Sequence, residues 1–423
     1  MLCALVALAV PIVLILRRTT PVYALMLGAL VGGLVGGFGL QGTVGAMISG
    51  AQGMMSAVLR ILASGVLAGA LVKTGAAERL AGAVVRGLGA RSALAAVALA
   101  TALVCAVGVF VDIAVITVAP VALSVGRRAG LPVPALLLAM IGGGKAGNIV
   151  SPNPNTISVA EAFKVDLTAL MLENAVPAVA ALGVAILLAQ VVRRRAGRAG
   201  EPDSGAAADD AAVRAGVPGL AAALAGPAVV VLLLALRPLC GFAVDPLVAL
   251  SAGGLVCVLA AGRVRETVAV CTFGLAQVSG IALLLIGTGT IAGVVKASSL
   301  TADLVSLLAS CHLPAFVLAP LSGVLLAGAT ASTTAGATVA SQSFAEVLLE
   351  SGVPALSAAA MIHAGATVVD SLPHGSFFHA TGGVVGMSVR DRLRLIPYEA
   401  LVGLSSTLVS VLVYVLCSSR ASA

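Results

Sequence analysis

Ionisable and polar side chains are scarce in this sequence, and they gather at four places where they could act on a small solute. In "GVFVDIAVITVAP", residues 108–120, Asp112 stands in an otherwise apolar run. In "GGGKAGNIVSPNPNTIS", residues 142–158, Asn153, Asn155 and Thr156 alternate with prolines. Far downstream, "AGATASTTAGAT" (327–338) carries Ser332, Thr333 and Thr334, and "MIHAGATVVDSLPHGSFFHATGG" (361–383) carries Asp370, His374, Gly375 and Ser376. A carboxylate inside an apolar stretch is costly enough in hydrocarbon to be a functional candidate by default, so Asp112 is read as a coupling-ion or site-organising group, with an exposed hairpin tip as the alternative. Asp370 and His374 flank Pro373 and supply a carboxylate and an imidazole that could carry a proton near neutral pH. A helix cap at Asp370 and a structural hydrogen bond at His374 compete with that role.

The hydroxyls of Ser332, Thr333 and Thr334 can bond a hydroxylated solute, although small residues also serve close helix packing. Lys145, beside three glycines, either attracts an anion or extends its stem to the interface. His363 and His379 are read as structural. Neither an HExxH motif nor paired cysteines accompany the histidines, and the seven cysteines are scattered as small apolar residues, so no metal and no cofactor are expected.

Proline removes a helix donor and excludes helical geometry from the residue before it, so the run Pro152, Asn153, Pro154, Asn155 must interrupt a helix. At membrane depth such irregular backbone is tolerated only where it is buried in protein or lines a cavity. Half-helix N-termini carry partial positive charge, so two such ends facing each other would form a carboxylate site that needs no dedicated arginine. A loop outside the membrane is the plain alternative.

The elements that position these residues follow from composition. Of the 423 residues, 60% are hydrophobic and 10% charged, with a mean hydropathy of +1.14, against roughly 25% charged in a soluble domain. A bilayer is the solvent that fits, and long unalternated runs such as residues 220–236 exclude a β-barrel, so the fold is expected to be an all-α polytopic membrane protein. At about 20 apolar residues per crossing, roughly 10 to 12 spans plus re-entrant pieces are expected. The net charge of +7 comes from short Lys and Arg clusters between apolar runs, so no nucleic-acid partner is expected. Those clusters report orientation: Arg193, Arg194, Arg195 and Arg198 place a central linker in the cytoplasm, Arg263 and Arg265 the end of a following hairpin, and Arg390, Arg392 and Arg394 a third cytoplasmic turn. The N-terminal apolar stretch lacks a basic n-region and a clear cleavage site, and is read as a retained first helix.

The chain repeats itself. "GLPVPALLLAMIGGGKAGNIVSPNPNTI" from Gly130 aligns with "GVPALSAAAMIHAGATVVDSLPHGSFF" from Gly352, which brings Met140 onto Met361 and Pro152 onto Pro373, both 221 residues apart (361 − 140 and 373 − 152). Upstream, "GVLAGALVKTGAAERL" around Lys73 aligns with "GTIAGVVKASSLTADL" around Lys296. A break at the equivalent point of both halves points to a binding site more strongly than one loop does. The expected organisation is N-terminal scaffold helices (1–56), a first repeat (57–192), a cytoplasmic linker (193–217), a scaffold hairpin (218–275) and a second repeat (276–423), the repeats preferably inverted.

With these residues in view, "AAAMIHAGATVVDSLPHGSFFHATGG" followed by "RDRLRLIPYEALVG" resembles the C-terminal region of the gluconate permease (GntP) family, within a superfamily that includes citrate and divalent-anion carriers. The resemblance implies an inverted-repeat fold with two re-entrant hairpins and two broken helices, commonly a homodimer with an elevator-like carrier domain, and for gluconate permeases a proton as coupling ion. It implies site positions at Asp112 and residues 332–334 for the tips, and at Asn153, Asn155, Thr156, His374, Gly375 and Ser376 for the breaks. Both tips depart from the Ser-Asn-Thr pattern of the superfamily, which weighs against sodium coordination.

The expected function is a symporter in a bacterial inner membrane that imports a small hydroxylated carboxylate such as gluconate, with protons as the coupling ion and Asp112, Asp370 and His374 as candidate coupling groups. A sodium-coupled carrier of citrate-like or short-chain acids is the alternative within the transporter class. A cation/proton antiporter is the alternative outside organic-anion transport; it would use Asp112 and Asp370 but has little need for the Asn and Ser/Thr clusters. No GxSxG or HExxH with partners supports an intramembrane enzyme.

Overall fold

Hydrocarbon leaves backbone amides no partner but each other, and every regular element among the described residues is accordingly helical. This computed structural model describes residues 2–17, 19–89, 92–196, 217–298, 314–373 and 375–421. Residues 197–216, the greater part of the expected linker, lie outside the described residues, as does His374.

The chain opens with α1 (Leu2–Leu16), α2 (Pro21–Val35) and α3 (Gly39–Gln52). The first half follows as α4 (Met55–Lys73), α5 (Ala76–Leu88), α6 (Ala93–Ala106), α7 (Val111–Ala129), α8 (Val133–Asn148), α9 (Pro154–Ala162), α10 (Leu167–Glu173) and α11 (Ala175–Ala196). The helices α12 (Leu220–Cys240) and α13 (Pro246–Ala260) form a hairpin. The second half comprises α14 (Thr267–Lys296), α15 (Leu318–Thr330), α16 (Thr333–Glu350), α17 (Ala355–Gly365), α18 (Ser376–Val384), α19 (Val389–Leu393) and α20 (Ile396–Ala421). Helices that start at 111, 133, 154 and 167 recur at 333, 355, 376 and 389, each 222 residues later, so the internal repeat is a repeat of helix boundaries as well as of residues.

Helix length separates two kinds of element. Among the described residues, α4, α11, α12, α14 and α20 lie in the five segments long and apolar enough to cross a bilayer alone. At 1.5 Å per residue, the 14 residues of α6 and the 13 of α15 reach only about 20 Å, short of a hydrocarbon core of about 30 Å. Both stop at a sharp turn and hand over to a longer helix: Gly108 takes φ +113 before α7, and Ala331 takes φ +47 before α16. These are the two hairpin tips.

The long helix α14 lies against α2, α3 and α4, while the hairpin α12/α13 covers α4 and α5. A second body has α8 among α6, α7, α11 and α20, and α17 among α15, α16 and α20. The glycines of α8 allow that packing. A Cβ on Gly143 would collide with the carbonyl oxygen of Ala98, and one on Gly147 with that of Ala102, so α6 and α8 touch backbone to backbone. Such closeness is how apolar helices gain dispersion contacts in lipid, where burial from water supplies no drive.

One orientation marker has another role. Arg390 and Arg394 are exposed, but Arg392 is buried, ion-paired to Glu399 (Nη2 to Oε2 3.1 Å), 3.3 Å from the Thr381 hydroxyl and with its guanidinium 5.0 Å from the centre of the Phe378 ring. It ties α18, α19 and α20 together instead of sitting at the membrane surface.

Candidate functional site

The first break is built by three asparagines. Asn153 is the N-cap of α9, where its Oδ1 accepts the backbone N–H groups of Asn155 (2.9 Å) and Thr156 (3.2 Å). Backbone amides only donate, so the Asn153 oxygen must face them and its Nδ2 must face away. That Nδ2 donates to the backbone oxygen (3.0 Å) and Oδ1 (2.7 Å) of Asn148, the last residue of α8. The Asn148 oxygen is thereby oriented too, and it also accepts from Asn155 Nδ2 at 2.9 Å. The chain of constraints leaves Asn155 with its Oδ1 turned outward from the network and without a partner among the described residues. Asn153 and Thr156 are wholly buried and shape the break; Asn155 alone of the three reaches the cavity described below.

At the second tip, Ser332 caps α16 by accepting the N–H of Ala335 (3.2 Å). Thr333 donates its hydroxyl to Asp370 Oδ2 at 2.6 Å. Gly375 opens α18, and a Cβ there would collide with the Ala331 carbonyl oxygen, so only glycine lets the second break meet the second tip this closely. Asp370 is buried, and its Oδ1 accepts from Lys145 Nζ (2.6 Å) and the Ser371 hydroxyl (3.0 Å). Lys145, 2% exposed, spends its other donors on the carbonyl oxygens of Thr367 (2.5 Å) and Glu399 (3.4 Å).

Tips and breaks converge on one cavity of about 870 Å³. Asp112 and Asn155 line it from the first half; Ser332, Thr333, Thr334, Asp370, Gly375 and Ser376 line it from the second; residues of α14 between Gln277 and Leu284 complete the wall. The first turns of α7, α9, α16 and α18 all contribute to this wall, so four partly positive helix ends face the same space. Asp112 accepts the N–H of Ile113 (2.9 Å) and has no cationic partner among the described residues, unlike Asp370. His379 also reaches the wall, with its Nε2 2.8 Å from the Pro373 carbonyl oxygen. His363 is wholly buried in α17 and away from the cavity wall. The residues that line the cavity hold no group of three or more His, Cys, Asp or Glu side chains fit for a metal.

Two participants lie outside the site residues expected from the sequence. Asn148 comes before the prolines that mark the break, and its role shows only when α8 and α9 are brought end to end. Lys145 sits at the centre of the site's charge balance, neither free to meet an anion nor extended to the interface.

A second cavity, of about 420 Å³, adjoins the far end of α9. There Arg60 of α4 pairs with Glu161 and, at 2.8 Å, with Asp245, and Arg237 pairs with Asp166 at 2.5 Å. Nine residues of α9 thus run from the first cavity to this ion-pair cluster.

Comparison with known proteins adds an independent line. The family model for GntP family permeases matches residues 1–417. A protein of Haemophilus influenzae described as an uncharacterized transporter is 50% identical over 411 residues, 97% of each chain. A second H. influenzae protein, described as an uncharacterized permease, is 30% identical over 171 residues, 40% of this chain and 35% of the other. Among solved structures, the Alcanivorax borkumensis YdaH transporter, reported to have an unusual topology, superposes with a TM-score of 0.60 at 18% identity, covering 88% of this chain and 86% of that one. That likeness is one of fold.

Proposed function

We propose, from the premise that this chain belongs to the GntP permease family and is a multi-pass membrane transporter, that it imports a small hydroxylated carboxylate, such as gluconate or a related sugar or hydroxy acid, together with protons. The observation that carries the reading is the 870 Å³ cavity ringed by four helix N-termini and holding Asp112, a carboxylate with no cationic partner among the described residues. Partly positive helix ends suit a carboxylate. Asn155 Oδ1 is an acceptor without a partner among the described residues, which suits a hydroxyl donor better than a second carboxylate. A carboxylate within an apolar helix pair, with both tips departing from the Ser-Asn-Thr pattern of the superfamily, favours proton over sodium coupling.

On this reading the repeats are inverted, the tips and breaks ride on the body formed by α6 to α9 and α15 to α18, and α4 and α14 belong to the scaffold against which it shifts. The protein is placed in the bacterial inner membrane as a homodimer. A sodium-coupled carrier of citrate-like or short-chain acids is the competing proposal.

Uptake of labelled gluconate into proteoliposomes under an imposed pH gradient tests it. Accumulation driven by an inward proton gradient is expected, with loss of about tenfold or more in Asp112→Asn, equivalent to at least about 1.4 kcal/mol of transport free energy. Cation-driven proton flux without uptake of any organic acid would sink the symporter reading.

A further inference from the structure

The two cavity carboxylates stand in opposite surroundings. Among the described residues Asp112 has no side-chain partner and accepts the N–H of Ile113, whereas both oxygens of Asp370 are occupied: Oδ1 by Lys145 and Ser371, Oδ2 by Thr333. Lys145 reaches Asp370 from the other repeat, 225 residues away in sequence, and is only 2% exposed. A buried ammonium with one carboxylate and two carbonyl oxygens around it is stable only while that carboxylate is ionised, because losing the partner leaves an uncompensated charge in a low-dielectric interior. The nearest other acid, Glu399, offers Lys145 only its backbone oxygen, its carboxylate being bound by Arg392. Facing Asp370 are Lys145 from α8 and Thr333 from α16; Asp112 from α7 and His379 from α18 share the cavity wall with it.

We infer that Lys145 is a positioning residue for transport: it keeps Asp370 as a fixed anion that clamps the tip of α16 through Thr333, so Asp370 does not carry the coupled proton. Of the two carboxylates that line the cavity, Asp112 is then the one free to gain and lose it. The inference narrows the coupling groups of the proposed symport and rests on that reading for its transport consequences. The ion pair itself is testable without a substrate.

Four proteins decide the matter: wild type, Lys145→Met, Asp370→Asn and the double variant K145M/D370N, each purified and reconstituted. Melting temperature alone tests the pair: each single substitution is expected to lower it, and the double to recover most of the loss, because removing both partners of a buried pair is far better tolerated than removing one. Additive losses would overturn the inference. In uptake, D370N is expected to be slower by about tenfold yet still driven by a pH gradient, whereas D112N loses that drive. K145M is expected to gain an acidic limb in its pH profile, as Asp370 without its cation begins to titrate; that limb should be absent from K145M/D370N. Loss of gradient drive in D370N, or the same limb in the double variant, would overturn it. Wild-type protein that takes up no carboxylate would refute the symport proposal while leaving the melting cycle to judge the pair.

Discussion

At the scale of single residues, Asn153 and Asn155 lie two apart yet face different tasks. Asn153 spends its oxygen on two backbone amides and its nitrogen on Asn148, so it is a cap with nothing left for a solute. Removing a cap of this kind costs about 1 kcal/mol, and Asn153→Ala is expected to lower melting temperature and uptake together for every substrate. Asn155 keeps an acceptor in reserve. Asn155→Leu is expected to cut uptake of a hydroxy acid by about tenfold, the scale of an unmade hydrogen bond at a site built for it, while an unhydroxylated short-chain acid changes little. Competition assays with matched hydroxylated and deoxy acids would check this; equal losses for both would show that Asn155 reads no hydroxyl. The alternation of Pro and Asn made the break legible in sequence. Which asparagine caps and which faces the cavity was not, because that depends on where the end of α8 presents the Asn148 oxygen.

At the scale of elements, the hairpins and breaks depend on how closely helices can approach. The glycines of α8 were legible as an interruption of bulk, but the helix continues through all of them, with Gly142, Gly143, Gly144 and Gly147 inside α8. Gly143 and Gly147 meet α6, Gly144 meets α7 and Gly142 meets Ala185 of α11, so their role is contact and not a break. Gly143→Ala is expected to separate α6 from α8, lowering the melting temperature by several degrees and uptake in proportion, since Lys145 lies two residues on. A Gly87→Ala control, where a Cβ would meet nothing within 4 Å, should be silent in both assays. The opposite pattern would remove packing as the reason for the glycine run. Gly375 was legible as part of the second break, yet its need to be glycine arises from the Ala331 carbonyl across the gap.

At the scale of the whole molecule, α9 couples two regions. Its first turn lines the larger cavity, and its last turn holds Glu161, which Arg60 binds together with Asp245 at the start of α13. Hydrogen bonding from Arg60 draws the Asp245 carboxyl below its ordinary range, so the stabilisation is present above the usual carboxylate pKa of about 4 and is lost as pH falls through the lower folded value. Arg60→Ala is therefore expected to lower the melting temperature at pH 7, with the gap to wild type closing at strongly acidic pH and shrinking in high salt, because partly exposed pairs are screened. A gap that ignores both pH and salt would mean that Arg60 acts through its stem and not its charge.

Hydropathy by itself determined the solvent, and its long unalternated runs the all-helical class, since only helices and closed barrels satisfy their backbone in lipid and a barrel needs alternation; it is a local property that each segment carries alone. The repeat and its four polar interruptions were equally legible, because polar residues and prolines stand out against apolar runs and recur at the same spacing in both halves. Only the tertiary structure decided the partners of the buried charges. Lys145 meets Asp370 across 225 residues, and Arg392 meets Glu399 inside the protein and not at its surface. A charge in a low-dielectric interior is defined by what touches it, and contact between helices from separate repeats leaves no mark in the spacing of either one.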